Sequence, residues 1–276
     1  QNPELSNHEF ATTARLTRWL QEAGIRLLPL ALKTGVVAEI GSGKGPIIAL
    51  RGDIDALPID EIADVPFSSQ NRGVMHACGH DGHTAMLLAA ARCLARQPNF
   101  SGTLHLIFQP AEEGGGGARV MIEDGLFERF PCDAVFAMHN VPGFPTGHLG
   151  FASGPLMCSA DTVHITLHGH GGHGAVPQST VDPVVACAAI VMSLQTIVAR
   201  NIDPQETAIV TVGAMQAGQA ANVIPATATL TLSVRALTAV VRARLEQRIT
   251  ELVTAQAASF GARAEIDYRH GYPVLV

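Results

Sequence analysis

The sequence predicts an α/β protein in two parts, and three observations carry that reading. Apolar runs at residues 47–50, 103–108 and 134–138 each end in polar residues and alternate with helical stretches, as in a sheet whose functional groups gather at one edge. From Asp161 the order changes to strand, helix, strand, strand, helix, strand, the βαββαβ plan of a split ferredoxin-like module. The chain has 276 residues, 47% hydrophobic and 15% charged, enough for a sizeable core and two domains.

At the start, Ser6 and Glu9 have the form of a capping box, and Phe10, Ala14, Leu16, Leu20 and Ala23 follow a helical spacing that Gly24 ends. Residues 25–30, 36–40 and 47–50 are short apolar runs separated by glycines and read as strands. Gly41-Ser42-Gly43-Lys44-Gly45 lacks the full phosphate-loop pattern and leads into no helix, so it reads as a hairpin connection. Arg51-Gly52-Asp53-Ile54-Asp55 then places two aspartates in alternation, facing one way on an extended chain. Solvated carboxylates at a strand end are the competing reading.

Met75-His76-Ala77-Cys78-Gly79-His80-Asp81-Gly82-His83 precedes an alanine-rich run at 85–94, which puts Cys78 and His80 in the loop that opens a helix. The free amides and dipole there favour an anion, so the Cys78 thiol is expected to ionise more easily. A thiolate and an imidazole two residues apart can face one divalent ion, with Gly79 bending the backbone between them. Taken alone, the stretch fits a buried cysteine beside loop histidines equally well. The strand at 103–108 runs into Gln109-Pro110-Ala111-Glu112-Glu113 and four glycines before a helix at 118–123. The strand at 134–138 delivers His139-Asn140.

In the second part, strands at 162–167, 208–215, 227–235 and 264–268 alternate with helices at 183–200 and 239–260. Its polar features are Gly169-His170-Gly171-Gly172-His173-Gly174, Asn222 and Arg235, for which a mobile loop and a strand-edge charge are the plain alternatives. The most apolar stretch, 183–199, is interrupted by Ser193, Gln195 and Thr196 and reads as a buried helix, not a membrane span. Net charge is -6 with no basic stripe, so nucleic acid and acidic membranes are poor partners. Five scattered cysteines, 78, 93, 132, 158 and 187, and no visible targeting signal make a reducing, cytoplasmic setting the expectation.

Cys78, His80, Glu113 and His139 are ligands of the kinds that bind zinc, with manganese, cobalt or nickel as alternatives. An ion lowers the pKa of a water it holds to roughly 7, so Glu112 could accept that proton and hand it to a leaving group. Asp53 and Asp55 could orient the histidines. His173 and Asn222 fit the stabilisation of an oxyanion and Arg235 fits a substrate carboxylate. These three act only if the second domain, or its copy in a partner subunit, closes over the metal.

Six stretches together carry a resemblance: Arg51-Gly52-Asp53-Ile54-Asp55-Ala56-Leu57-Pro58, Met75 to His83, Phe108 to Ala118, Met138-His139-Asn140, Gly171-Gly172-His173-Gly174-Ala175 and Asn222-Val223-Ile224-Pro225. In them the chain resembles the N-acyl-amino-acid amidohydrolases, the aminoacylase-, hippurate hydrolase- and auxin-conjugate hydrolase-like enzymes among the carboxypeptidase G-like metallopeptidases. The resemblance implies a mixed-sheet metallopeptidase-type catalytic domain at 1–158, an inserted ferredoxin-like lid and dimerisation domain at 159–271, and a return toward the catalytic domain at 272–276. It implies two divalent ions, with Cys78 bridging them, His80, Glu113 and His139 binding them and Glu112 as the base. It further implies hydrolysis of small N-acyl amino acids and a homodimer in which the lid lends His173 to the partner's site. Two departures stand out: Asn2 replaces the family's histidine before Pro3-Glu4-Leu5-Ser6, and the family's last histidine ligand belongs to a segment beyond Val276. The expectation is therefore that this polypeptide, lacking a C-terminal piece, is a metal-dependent amidohydrolase that binds metal less tightly, with the activity of this chain alone left open. A dipeptidase or aminopeptidase with the same metal chemistry, or a non-catalytic metal-binding or dimerisation remnant, are the alternatives.

Overall fold

The computed structural model describes residues 1–41 and 43–275, and its first helix, α1 (Phe10–Glu22), is capped differently from expectation. Glu4, not a Ser6–Glu9 box, takes the free amides, accepting from Ala11 N at 3.0 Å and Thr12 N at 2.7 Å. The Ser6 hydroxyl is drawn away because it donates to the buried Asp55 carboxylate at 2.7 Å, a charge-assisted bond stronger than a neutral cap. Leu16 and Leu20 point inward, whereas Phe10 stays 54% exposed.

The first unit, Gln1–Thr146, continues with β1 (Arg26–Leu28), β2 (Val36–Gly41), β3 (Ile47–Asp53), α2 (His80–Arg96), β4 (Thr103–Gln109), α3 (Gly117–Glu123), α4 (Leu126–Arg129) and β5 (Ala134–Ala137). The sheet is mixed, in the order β1-β2-β4-β3-β5. β1 and β2 pair antiparallel, as do β2 and β4, while β3 lies parallel to both β4 and β5. The expected hairpin between the second and third strands does not form, because β4 sits between them; Ser42 of that turn lies outside the described residues. Every residue of β4 is buried, and a run of that kind needs strands on both edges and cover on both faces. Successive side chains alternate across the sheet. Leu104, Leu106 and Phe108 join α1 and α2 on one face, and Ile107 joins Met121 and Leu126 of α3 and α4 on the other.

This connectivity positions the functional edge. The chain leaves β3, crosses one face through α2 to reach β4, then crosses the other face through α3 and α4 to reach β5. β3 is thus flanked by parallel strands reached over opposite faces, and a crevice opens beyond the carboxyl ends at such a point. Asp53, Gln109 and the residues after Ala137 all lie at those ends.

The second unit, Gly147–Val276, holds β6 (Asp161–His168), β7 (Gly172–His173), α5 (Pro183–Asn201), β8 (Ala208–Ala217), β9 (Val223–Ile224), β10 (Thr227–Ala236), α6 (Ala239–Ser259) and β11 (Arg263–His270). Its main sheet is antiparallel, ordered β11-β6-β10-β8, with β7 and β9 as a separate ribbon. Val163, Ile165 and Leu167 of β6 and Leu230, Leu232 and Val234 of β10 pack beneath α5 and α6. Asp182 caps α5 by accepting from Val184 N at 2.8 Å, with Pro183 in the first turn. α5 is long and apolar enough to cross a membrane by composition, yet it buries Ala186, Cys187, Ile190, Leu194 and Ile197 completely in this core. Replacing Ile190 by valine is expected to cost about 0.5–1.5 kcal/mol, read as a lower urea midpoint with unchanged slope.

Residues 147–158, placed with the first part on sequence, group with the second unit because they pair with its last segment. Leu156 N donates to Leu275 O at 2.9 Å, Leu275 N to Met157 O at 3.1 Å and Ala160 N to Tyr272 O at 3.0 Å. Beside this pairing, Asp161 accepts from Arg242 Nε at 2.9 Å, from a second Arg242 nitrogen, from Gly271 N at 3.1 Å and from Tyr268 Oη at 3.3 Å.

Candidate metal centre

Three loops at the carboxyl edge of the first sheet bring the predicted ligands together. Gly79, at φ 81°, ends the loop before α2, and a Cβ there would meet the Asn140 side chain at 2.6 Å. Cys78 Sγ lies 3.3 Å from His139 Nε2, and His80 Nε2 lies 3.7 Å from Glu113 Oε1 and 3.9 Å from Glu112 Oε2. Cys78, His80 and His139 form one group and His80, Glu112 and Glu113 another, each with its ligand atoms within 4.8 Å of one another.

Asp53 and Asp55 are both buried and each contacts an imidazole. Asp55 Oδ1 accepts from His80 Nδ1 at 3.1 Å, turning Nε2 toward the glutamates. The other Asp55 oxygen accepts from Ser6 Oγ and, at 2.9 Å, from Glu113 N, so one carboxylate ties His80 to the loop that carries Glu112 and Glu113. Asp53 accepts from Arg51 Nη1 at 2.7 Å and from His83 Nδ1 at 2.6 Å. His83 is the residue that sequence reasoning passed over. Its Nε2 lies 3.0 Å from Asn140 N, which fixes the backbone next to His139. The available signal was its spacing, one turn from His80 on the same face of α2.

The electrostatics follow from crowding carboxylates around buried groups. Burial alone would raise Asp55, but hydrogen bonds from His80, Ser6 and the 112–113 backbone hold it below its ordinary value. Burial would lower His80, yet Asp55, Asp53 and Glu112 push it up. Glu112 is raised by burial and by Glu113, against the pull of His80 and Arg51. The expectation of an easily ionised Cys78 is overturned: burial, then Glu113, Glu112 and Asp53, push its thiol up to about 12. A helix N-terminus offers only about half a charge, too little against several carboxylates. A cation at the site would reverse that balance.

The buried polar atoms test whether a metal fits. His80 Nε2 and Glu113 Oε1 are both buried without a hydrogen-bond partner, and at 3.7 Å they face each other beyond hydrogen-bond reach. Unsatisfied buried acceptors are costly, and a divalent cation accepting a lone pair from each would satisfy both. The donor set of thiolate, imidazoles and carboxylates suits a borderline transition metal.

His173, Asn222 and Arg235 all lie on the second unit and are exposed. β7 and β9 set His173 opposite Val223, and Gly174 N donates to Asn222 O at 2.8 Å, so the first two are neighbours. Arg235 sits opposite Ile209, toward the far end of β10, about 26 Å along the strand from Thr227 at about 3.3 Å per residue.

Comparison with known proteins agrees with this architecture. Residues 49–276 match the model of the peptidase family M20/M25/M40. The chain is 44% identical over its whole length to an N-acetyl-L-cysteine deacetylase of Bacillus subtilis and 46% identical over 91% of its length to a hippurate hydrolase of Campylobacter jejuni. It spans 66% of the length of each. It also superposes, with a TM-score of 0.82 and 40% identity, on a Bacillus subtilis structure described as a dinuclear metal binding peptidase from the M20 family, covering 99% of this chain and 71% of that one. The chain belongs to the peptidase family M20/M25/M40.

Proposed function

We propose that this protein hydrolyses the amide bond of small N-acyl amino acids with two divalent ions held by Cys78, His80, Glu113 and His139. The observation that carries this is the pair of unpartnered buried acceptors, His80 Nε2 and Glu113 Oε1, with Glu112 Oε2 3.9 Å from the first of them. When bound, the ions would supply Lewis acidity toward an amide carbonyl and make water more acidic. Glu112, raised above its ordinary value by burial and Glu113, would take the proton of the attacking water and return it to the departing amine. Asp55 accepts from His80 Nδ1 and so leaves Nε2 as the ring atom that would meet an ion, and Asp53 with His83 steadies the backbone beside His139. The names of the relatives, a deacetylase and a hippurate hydrolase, support an acylated amino acid as the substrate class.

The second unit belongs to the same proposal as a ferredoxin-like lid, with His173 and Asn222 as oxyanion donors and Arg235 as the partner of the substrate carboxylate. Its βαββαβ order supports this module. The distance along β10 between Arg235 and the β7–β9 ribbon supports a homodimer, since two copies can offer both groups to one substrate. The edge strand β8, with Ile209 and Met215 exposed at 46% and 44%, supports association through this unit. Five free cysteines support a reducing, cytoplasmic setting.

The test is hydrolysis of a panel of N-acetyl and benzoyl amino acids and free-amine dipeptides, with zinc, manganese or cobalt supplied or chelated. Release of amine from the acylated substrates, only with metal, is expected. Equal turnover after chelation, or preference for the dipeptides, overturns the assignment. Metal uptake without any turnover points to a non-catalytic remnant.

A further inference from the structure

Glu9 is a fully buried carboxylate, 0% exposed, that the reaction outlined above does not use. It stands at the N-cap of α1 but makes no side-chain cap bond. Instead its Oε1 accepts from Ala111 N at 2.7 Å, across a sequence separation of 102 residues, while Oε2 is buried with no hydrogen-bond partner. A side chain kept only to fill this space would be apolar, since burying a carboxylate with one oxygen unsatisfied is costly.

The backbone at both ends of this contact is unusual. Asn7 at φ 64° and Ala111 at φ 50° are the non-glycine residues with positive φ among those described, a conformation that persists only where surrounding structure imposes it. Ala111 is held at both of its backbone polar groups, by Glu9 at its N–H and by Gly117 N donating to its carbonyl at 3.0 Å. Gly117 is confined to glycine, because a Cβ there would lie 1.8 Å from Pro110 O. Next in the chain come Glu112 and Glu113. The same N-terminal segment touches this loop twice more, through Ser6 on the Asp55 carboxylate that receives Glu113 N, and through Asn7 Nδ2 donating to Gly114 O at 3.5 Å.

We propose that Glu9 is a positioning residue: its carboxylate holds Ala111 in the left-handed conformation and so aims Glu112 and Glu113 at the crevice. The conformational part stands on the contacts alone, and its consequence for metal and substrate rests on the function proposed above. Removing the acceptor should release the 111–117 loop without unfolding the sheet beneath it.

The experiment compares the full chain with Glu9→Gln, which keeps an acceptor oxygen of the same reach, and Glu9→Met, which fills the space without one. Amide hydrogen exchange of residues 111–117 is followed against α2 and β4 as internal controls. Exchange roughly tenfold or more faster in Glu9→Met and near the unaltered rate in Glu9→Gln is expected. Unchanged exchange in Glu9→Met, an equal loss in Glu9→Gln, or acceleration spread equally over α2 and β4 overturns the proposal. A parallel cobalt titration reads the ligand geometry without turnover, with affinity expected to fall roughly 10–100-fold in Glu9→Met and to be restored in Glu9→Gln. Failure of the unaltered chain to bind cobalt sinks the metal reading, and the exchange comparison still decides the role of Glu9.

Discussion

Replacing Arg242 by methionine is expected to destabilise the second unit by about 3–5 kcal/mol, the cost of leaving a buried charge without its partner. The Asp161 side chain is 0% exposed and takes two nitrogens of Arg242, itself 19% exposed, on its two oxygens. Burial would raise the Asp161 carboxyl, but Arg242 together with Gly271 N and His270 holds it below its ordinary value. A carboxylate depressed on folding stabilises the native state above its unfolded pKa, about 3.9, and that contribution is lost as pH falls through the lower folded value. Without Arg242 the sign reverses, because burial then favours the protonated acid. The deficit of Arg242→Met should therefore narrow as the solution is acidified toward pH 4. The double variant Arg242→Met with Asp161→Leu should recover most of the loss, since a buried pair is replaced by apolar groups of similar size. Exchange of β6 and β10 amides measures all three chains, and a single-variant loss under 1 kcal/mol would show that the pair contributes no more than a surface one.

Much of the fold is legible in the sequence where a local signal and the tertiary environment agree. The strands announce themselves as apolar runs bounded by glycines and polar ends, and Asp182-Pro183 marks the start of α5. What local patterns do not contain is which strand lies beside which. The glycines at 41, 43 and 45 suggest a hairpin as well as any short sequence can, yet β4, some sixty residues later, takes the place between β2 and β3 because it is the run apolar enough to be covered on every side. The capping box fails for a related reason: Ser6 matches the pattern but meets Asp55, a partner distant in sequence.

At the site, the residue types and their placement after strands brought Cys78, His80, Glu113 and His139 into view. Their second neighbours were harder to see. His83 carried a usable periodic signal, whereas Glu9 carried none, since a glutamate ahead of a helix looks like a cap until Ala111 is found against it. The acidity of Cys78 was misjudged in sign because the sequence around it shows a helix start, while Glu113 and Glu112 approach from another loop.

Replacing Glu112 by glutamine is expected to lower turnover of an N-acyl amino acid about 10²–10⁴-fold, the usual contribution of a positioned general base, while metal affinity falls by no more than the roughly 10–100-fold that the loss of a group supporting the ligands costs. The split between the two readouts is the point of the experiment. Cys78, His80, Glu113 and His139 remain in place in this variant, and glutamine fills the volume of glutamate, so the loop conformation set at Ala111 should persist. What disappears is the ability to accept a proton, which the neighbouring Glu113 and the burial of the site otherwise favour. Replacing Glu113 by glutamine should give the opposite split, with loss of metal preceding loss of turnover, because the Oε1 atom facing His80 Nε2 has no hydrogen bond to fall back on. Excess metal would then restore part of the Glu113→Gln activity and none of the Glu112→Gln activity. If Glu112→Gln keeps its turnover, or if added metal rescues it, the proton is taken elsewhere and the division of labour between these adjacent glutamates is wrong.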